Sequence, residues 1–258
     1  MPFTVSHIAA VLPATRFPLL RQPLILSAFV IGAMSPDAPY FVPLASWTDL
    51  YGWSYASHTW AGVFWLDIPV TLALVALYWL VVAAPLRSLA PRGVRARLPR
   101  HVMAPHRATL LQTGLLLVAA AGIGAATHVV WDSFTHEGRA GVMAVAWLQQ
   151  PAVVGPVSAS RVLQYVSSIL GLALVAWSLI RWYRTTPASA EVPVGLGWRW
   201  QLAFVGGVAT AGVLAWWTVR DLVISGLTRS IAFMAFVTLV AALAARVPMQ
   251  RLESAQRG

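Results

Sequence analysis

His128, Asp132 and His136 follow one another at four-residue intervals in "THVVWDSFTH", at the end of a long apolar stretch. On a helix of 3.6 residues per turn, successive members are offset by about 40°, so the three form one stripe. A histidine and an aspartate one turn apart can hold one ion from a single helix face, and imidazole with carboxylate suits zinc, manganese or iron. An ion held this way brings the pKa of bound water to about 7. Three more stretches carry matching side chains. In "SHTWAGVFWLDIP", His58 stands at the mouth of an apolar segment. Asp67 lies about 13 Å deeper along the same helix. A carboxylate at that depth is expensive unless it is paired, protonated or beside water, and Pro69 next to it loosens the backbone. In "SPDAPY", Pro36 and Pro39 bracket Asp37 and stop a helix. His7 opens the set near the start of the chain.

The metal ligands expected are His7, Asp37, His58, His128 and Asp132, with His128, Asp132 and His58 forming the primary set. His7 and Asp37 enter as further ligands or as ligands of a second ion, and Asp67 or His136 as general base or acid. Zinc is the first choice of ion, with manganese and iron as alternatives. Gln164 and Ser167 would orient a substrate or a water, and Arg139 and Arg161 suit a phosphate. The same side chains would also serve a hydrogen-bonded network between helices. His101 and His106, in an arginine-rich loop, and Asp49, Asp221 and Glu137 read as solvated charges.

What must position these residues is a membrane bundle. The 258 residues are 59% hydrophobic and 10% charged, with a mean hydropathy of +0.71; a soluble domain carries about 25% charged residues. A spanning helix needs about 20 apolar residues, and 59–84, 108–131, 162–182, 201–220 and 230–247 qualify. The expected fold is therefore all-α: a polytopic bundle of five full spans, preceded by a broken or re-entrant helical hairpin. The hairpin's arms, 3–15 and 22–35, are separated by Arg16, Pro18 and Arg21, so that His7 and Asp37 return to the same side. A helix broken at membrane depth has to line protein or water. Small residues from Ala119 to Ala126, and Gly206, Gly207, Ala211 and Gly212, permit close helix packing. One integral domain, 1–258, is expected, with the site in 1–140 and supporting helices in 141–258.

There is no cysteine, which excludes thiolate sites and disulfides. All 18 basic residues are arginine, giving a net charge of +10. Six of them fall in 85–107 without an acid, which the positive-inside rule places in the cytoplasm. Alternation then puts 132–161 outside and the C-terminus inside. The basic charge reads as a topology signal and a contact for anionic lipid heads rather than a nucleic-acid surface. No cleaved signal peptide is expected at the N-terminus.

"MPFTVSHIAAVLP", "LSAFVIGAMSPDAPY", "SHTWAGVFWLDIP", "GAATHVVWDSFTHEG" and "LQYVSSILG" together resemble the domain-of-unknown-function 4184 family. The resemblance implies a multi-pass protein of the bacterial inner membrane with no assigned activity. More distantly, the pattern is similar to inner-membrane proteins described as metal-dependent hydrolases of the bacterial damage response. Their recurring residues would correspond here to His7, Asp37, His58, His128 and Asp132. This chain departs from them at Pro39, where that group has a second acid, and at Ser57 and Thr59, where it has an arginine beside the histidine. The function expected is metal-dependent hydrolysis near the extracytoplasmic headgroups, on a phosphoester or lipid-linked substrate. A transporter or ion conduit, and a structural envelope protein, are the alternatives.

Overall fold

The computed structural model describes residues 4–41, 47–99, 109–151, 157–193, 195–218, 234, 238, 240, 241, 243–246 and 248. All regular elements among them are helices. We label the longer ones α1 (Pro23–Gly32), α2 (Trp47–Ser57), α3 (Trp60–Leu89), α4 (Leu110–Thr135), α5 (Ala159–Thr185) and α6 (Trp198–Thr218). Among the described residues α3, α4 and α5 are long and apolar enough to cross a membrane. A fourth crossing is possible if α1 and the 3-10 turn Ser35–Phe41, bent 64° from each other, make one broken span. Of the five full spans expected, 201–220 coincides with α6, and most of 230–247 lies outside the described residues. His101, His106 and Asp221, and the side chain of Asp49, lie outside them as well.

The chain forms two compact units. The first comprises residues 1–38, 51–75 and 103–181. It begins with short turns, Thr4–His7, Ile8–Val11 and Leu12–Arg16, before Pro23 starts α1. The expected doubling back of the chain is present: the Thr4 hydroxyl donates to Asp37 Oδ2 at 2.6 Å. Helix α1 crosses α4 where both surfaces are small. A Cβ on Gly32 would lie 2.5 Å from the Ala121 carbonyl oxygen, and one on Gly124 would lie 2.5 Å from that of Phe29. Glycine at these two places lets backbone meet backbone, the usual route to close packing where lipid supplies no hydrophobic drive. At Gly206, by contrast, a Cβ would meet nothing within 4 Å, so close packing is not its use.

Helix α3 starts cleanly. Thr59 caps it by accepting the Gly62 N–H at 2.9 Å. Within it, Val63–Asp67 and Tyr78–Val82 widen into π-helical turns. Ile68 N–H reaches back to the Val63 carbonyl, and Ala83 N–H to that of Tyr78. Each wide turn lies shortly before a proline, Pro69 and Pro85, whose missing N–H already interrupts the ordinary ladder. Asp67 closes the first of these turns.

The second unit comprises residues 39–50, 76–102 and 182–258. Its arginines tie the segments of this unit together. Arg97 lies over the Tyr183 ring at 4.5 Å and donates from Nε to the Thr186 carbonyl at 2.9 Å. Arg95 donates to the Pro193 carbonyl at 2.8 Å, and Arg87 to that of Pro99 at 2.7 Å.

Candidate metal centre

Four separate stretches of the first unit deliver imidazoles and carboxylates to one place. His7 closes the first turn, Asp37 sits in the bend after α1, His58 in the two-residue joint between α2 and α3, and His128 and Asp132 on one face of α4. All five are buried, with at most 6% of their surface exposed.

Asp132 is the hub. Its Oδ2 lies 3.4 Å from His58 Nε2, 3.5 Å from His128 Nε2 and 3.5 Å from His136 Nδ1, and its Oδ1 lies 3.5 Å from His7 Nε2. Asp37 Oδ1 lies 3.5 Å from His58 Nε2 and 3.7 Å from His128 Nε2. These separations exceed the range of a good N–H···O hydrogen bond, about 2.7–3.2 Å. They match a different geometry. Two donors each about 2.1 Å from an ion and at a tetrahedral angle stand about 3.4 Å apart. The donor atoms of Asp37, His58 and His128 all lie within 4.8 Å of one another, as do those of His7, His128 and Asp132, so either trio could hold an ion.

The neighbours orient these donors. His128 Nδ1 donates to the Ala33 carbonyl at 2.8 Å, and His58 Nδ1 to that of Ser54 at 2.8 Å. Each bond consumes one ring nitrogen and leaves Nε2 turned into the cluster, as in metal sites whose histidines are fixed by outer partners. The Ala33 carbonyl is available because α1 ends there, and a helix leaves its last carbonyls unsatisfied. Ser57 hydroxyl ties the joint to the Pro36 carbonyl at 2.7 Å, and Thr4 holds Asp37 Oδ2 so that Oδ1 faces the histidines. None of these outer partners was foreseen. Backbone carbonyls carry no sequence signal, and Thr4 and Ser57 are unremarkable in composition.

The cluster as it stands is electrostatically incomplete. His7 Nδ1 and Nε2, His128 Nε2, Asp132 Oδ1 and both oxygens of Asp67 are buried without a hydrogen-bond partner. Burial, followed by the charge of His128, holds His7 down to about 3, so its ring is neutral and its lone pair free. Burial also pulls His58 down, but the carboxylates of Asp132 and Asp37 outweigh it and raise the imidazole to about 9. The negative charge gathered here thus draws a cation, and a protonated His58 is only a partial answer. Buried carboxylates are tolerated when paired or bound to metal. The donor set, its spacing and its orphaned atoms fit a divalent ion.

Asp67 and His136, expected as acid or base, flank this set. Asp67 is buried in the wide turn of α3, with His58 and His128 as its electrostatic neighbours. His136 caps the end of α4; its side chain is 26% exposed, and Gln164 Nε2 lies 3.2 Å from its Nε2. Burial keeps it below the ordinary imidazole value. Gln164 itself is buried, with Oε1 unpartnered. Ser167 receives the Trp131 indole N–H at 3.3 Å. Arg139 reaches back across the turn at Gly138, which has a φ of 77°, and donates to the His58 carbonyl at 2.9 Å. Arg161 lies in the first turn of α5. Glu137 is exposed and accepts from Ser158 at 2.6 Å.

The arrangement defines an all-helical membrane protein with a buried His/Asp cluster suited to a metal ion. A family model described as a domain of unknown function, DUF4184, matches residues 1–250. The chain belongs to that family. No curated protein and no solved structure matches it, and the more distant likeness to metal-dependent hydrolases gains no support from these comparisons.

Proposed function

We propose that the protein is a membrane-embedded, divalent-metal-dependent hydrolase whose site opens toward the extracytoplasmic headgroups and takes a phosphoester of a lipid or lipid-linked molecule. The observation that carries this reading is the convergence of the Asp37, His58 and His128 donor atoms within 4.8 Å of one another, with the outer ring nitrogens of the two histidines fixed by backbone carbonyls. A divalent ion held there supplies positive charge to a developing oxyanion and acidifies water. The chain's own groups supply the rest. Asp67, buried and unpartnered beside the histidines, is the group placed to take a proton from water. His136 bridges the buried set and the surface, and is placed to return a proton to the leaving alcohol. Hydrolysis then breaks one P–O bond, with the water's oxygen joining phosphorus and its proton reaching the departing oxygen by way of these residues. The Arg139 guanidinium at the mouth suits an anionic phosphate.

Depth supports the headgroup assignment. Trp53, Tyr55, Trp60, Trp65 and Tyr165 are exposed near the helix ends that carry the site. Exposed tryptophan and tyrosine of this kind mark the boundary between lipid and water. The ionisable side chains buried in the first unit fall between His136 and Asp67; further along the helices, among the described residues, Thr71 and Thr113 carry only hydroxyls. A conduit would need titratable groups to continue across.

The test is turnover. Purified protein loaded with zinc or manganese should release phosphate or headgroup from a panel of phospholipids and soluble phosphoesters, and should lose that activity with chelator or in His128→Ala. A metal-loaded protein that leaves every ester intact yet passes ions across liposomes would replace the hydrolase with a conduit.

A further inference from the structure

The rings of His7 and His128 are stacked, with centroids 3.7 Å apart and planes inclined by 17°. Both direct Nε2 at the same carboxylate, but at different oxygens: His7 at Asp132 Oδ1 and His128 at Asp132 Oδ2, each at 3.5 Å. Both Nε2 atoms are buried and lack a hydrogen-bond partner, as does Asp132 Oδ1. An imidazole lone pair lies in the ring plane, and the ion it binds sits about 2.1 Å out along it. Rings with centroids 3.7 Å apart and planes only 17° from parallel aim their lone pairs side by side, so an ion midway between them lies off the axis of both. An ion in front of each ring suits this geometry better than one ion shared between them.

From this we infer a two-ion centre bridged by Asp132, an inference that rests on the metal reading above. The first ion takes Asp37 Oδ1, His58 and His128, with Asp132 Oδ2 beside it at 3.4 and 3.5 Å from the two ring nitrogens. The second takes His7 Nε2 and Asp132 Oδ1, and its remaining positions are open to water or substrate. Parallel lone pairs on rings 3.7 Å apart place the two ions at a similar separation, inside the range of about 3.5–4 Å found for paired ions acting on phosphoryl groups. Charge points to the same substrate class. Two divalent cations against the carboxylates of Asp37, Asp67 and Asp132 leave one positive charge, so the loaded centre attracts an anion. A phosphoester with one oxygen toward each ion satisfies both the charge and the span.

The test is stoichiometry together with spin coupling. Full-length protein in detergent, loaded with manganese and desalted, should hold two ions per chain and give the broadened resonance of a coupled pair. His7→Ala should hold one and give the six-line spectrum of an isolated manganese. Asp132→Ala should lose both. One uncoupled ion in the wild type overturns the inference and leaves the single-ion hydrolase intact, whereas a wild type that binds no metal overturns both. The wild-type spectrum decides the matter even if His7→Ala does not fold.

Discussion

Gly124→Ala tests the link between packing and the centre, because the glycine has no side chain to offer an ion. Its new Cβ would lie 2.5 Å from the Phe29 carbonyl oxygen and 2.8 Å from the Ala33 nitrogen, both backbone atoms that cannot swing aside. Restoring the 3.4 Å of ordinary contact needs a displacement of about 0.9 Å between α1 and α4. The same crossing carries the 2.8 Å bond from His128 Nδ1 to the Ala33 carbonyl. A shift of that size stretches it toward about 3.5 Å, beyond useful hydrogen-bond length. Overpacking of this kind costs about 1–3 kcal/mol. Loss of an outer partner from a metal-binding histidine costs about 10–100-fold in affinity. Metal competition titration and thermal unfolding in detergent read the two effects separately. Gly114→Ala is the control, since a Cβ there meets nothing within 4 Å of the same helix; it should leave both unchanged or raise stability slightly. Wild-type affinity in Gly124→Ala, or an equal loss in Gly114→Ala, would refute the argument that the glycine crossing sets the histidine.

Four further outcomes follow from the same geometry. Thr4→Val removes the hydroxyl that holds Asp37 Oδ2 and should weaken metal binding about 10–100-fold, measured by the same titration. Ion binding must expel the proton from His58 Nε2, which the metal-free protein holds up to about 9, so apparent affinity should rise by at least about tenfold per pH unit as pH climbs from 6.5 toward 9. The raised value also has a sign for stability: in the metal-free protein, protonated His58 contributes fully below 6.5 and its contribution is lost as pH rises through about 9, while the metal-loaded protein, its His58 already deprotonated, stays level over the same window. Melting temperatures of both forms across that range check it. Chelation at neutral pH should lower the melting temperature, and an ion at 100 times its Kd should add about 2.7 kcal/mol; no shift on adding zinc or manganese would count against the centre.

The sequence was most informative where a residue type is costly. A buried carboxylate or imidazole in an apolar chain demands compensation wherever it folds, so His7, Asp37, His58, His128 and Asp132 could be singled out from the scarcity of charge together with their spacing, the proline turn and the family resemblance. The membrane class followed from composition, and the α3, α4 and α5 spans from runs of apolar residues at fixed helical rise. The turn that leads into α1 was legible too, because prolines and arginines mark where an apolar run must turn. What one dimension could not contain was direction. Whether the rings of His7 and His128 converge on one ion or stack side by side depends on how the first turn lies against α4, and on backbone approach at Gly32 and Gly124. Which ring nitrogen faces inward was decided by carbonyls of Ala33 and Ser54, groups that every residue possesses. Residue chemistry fixes which groups must find partners; only the packed backbone decides which atoms they turn toward one another.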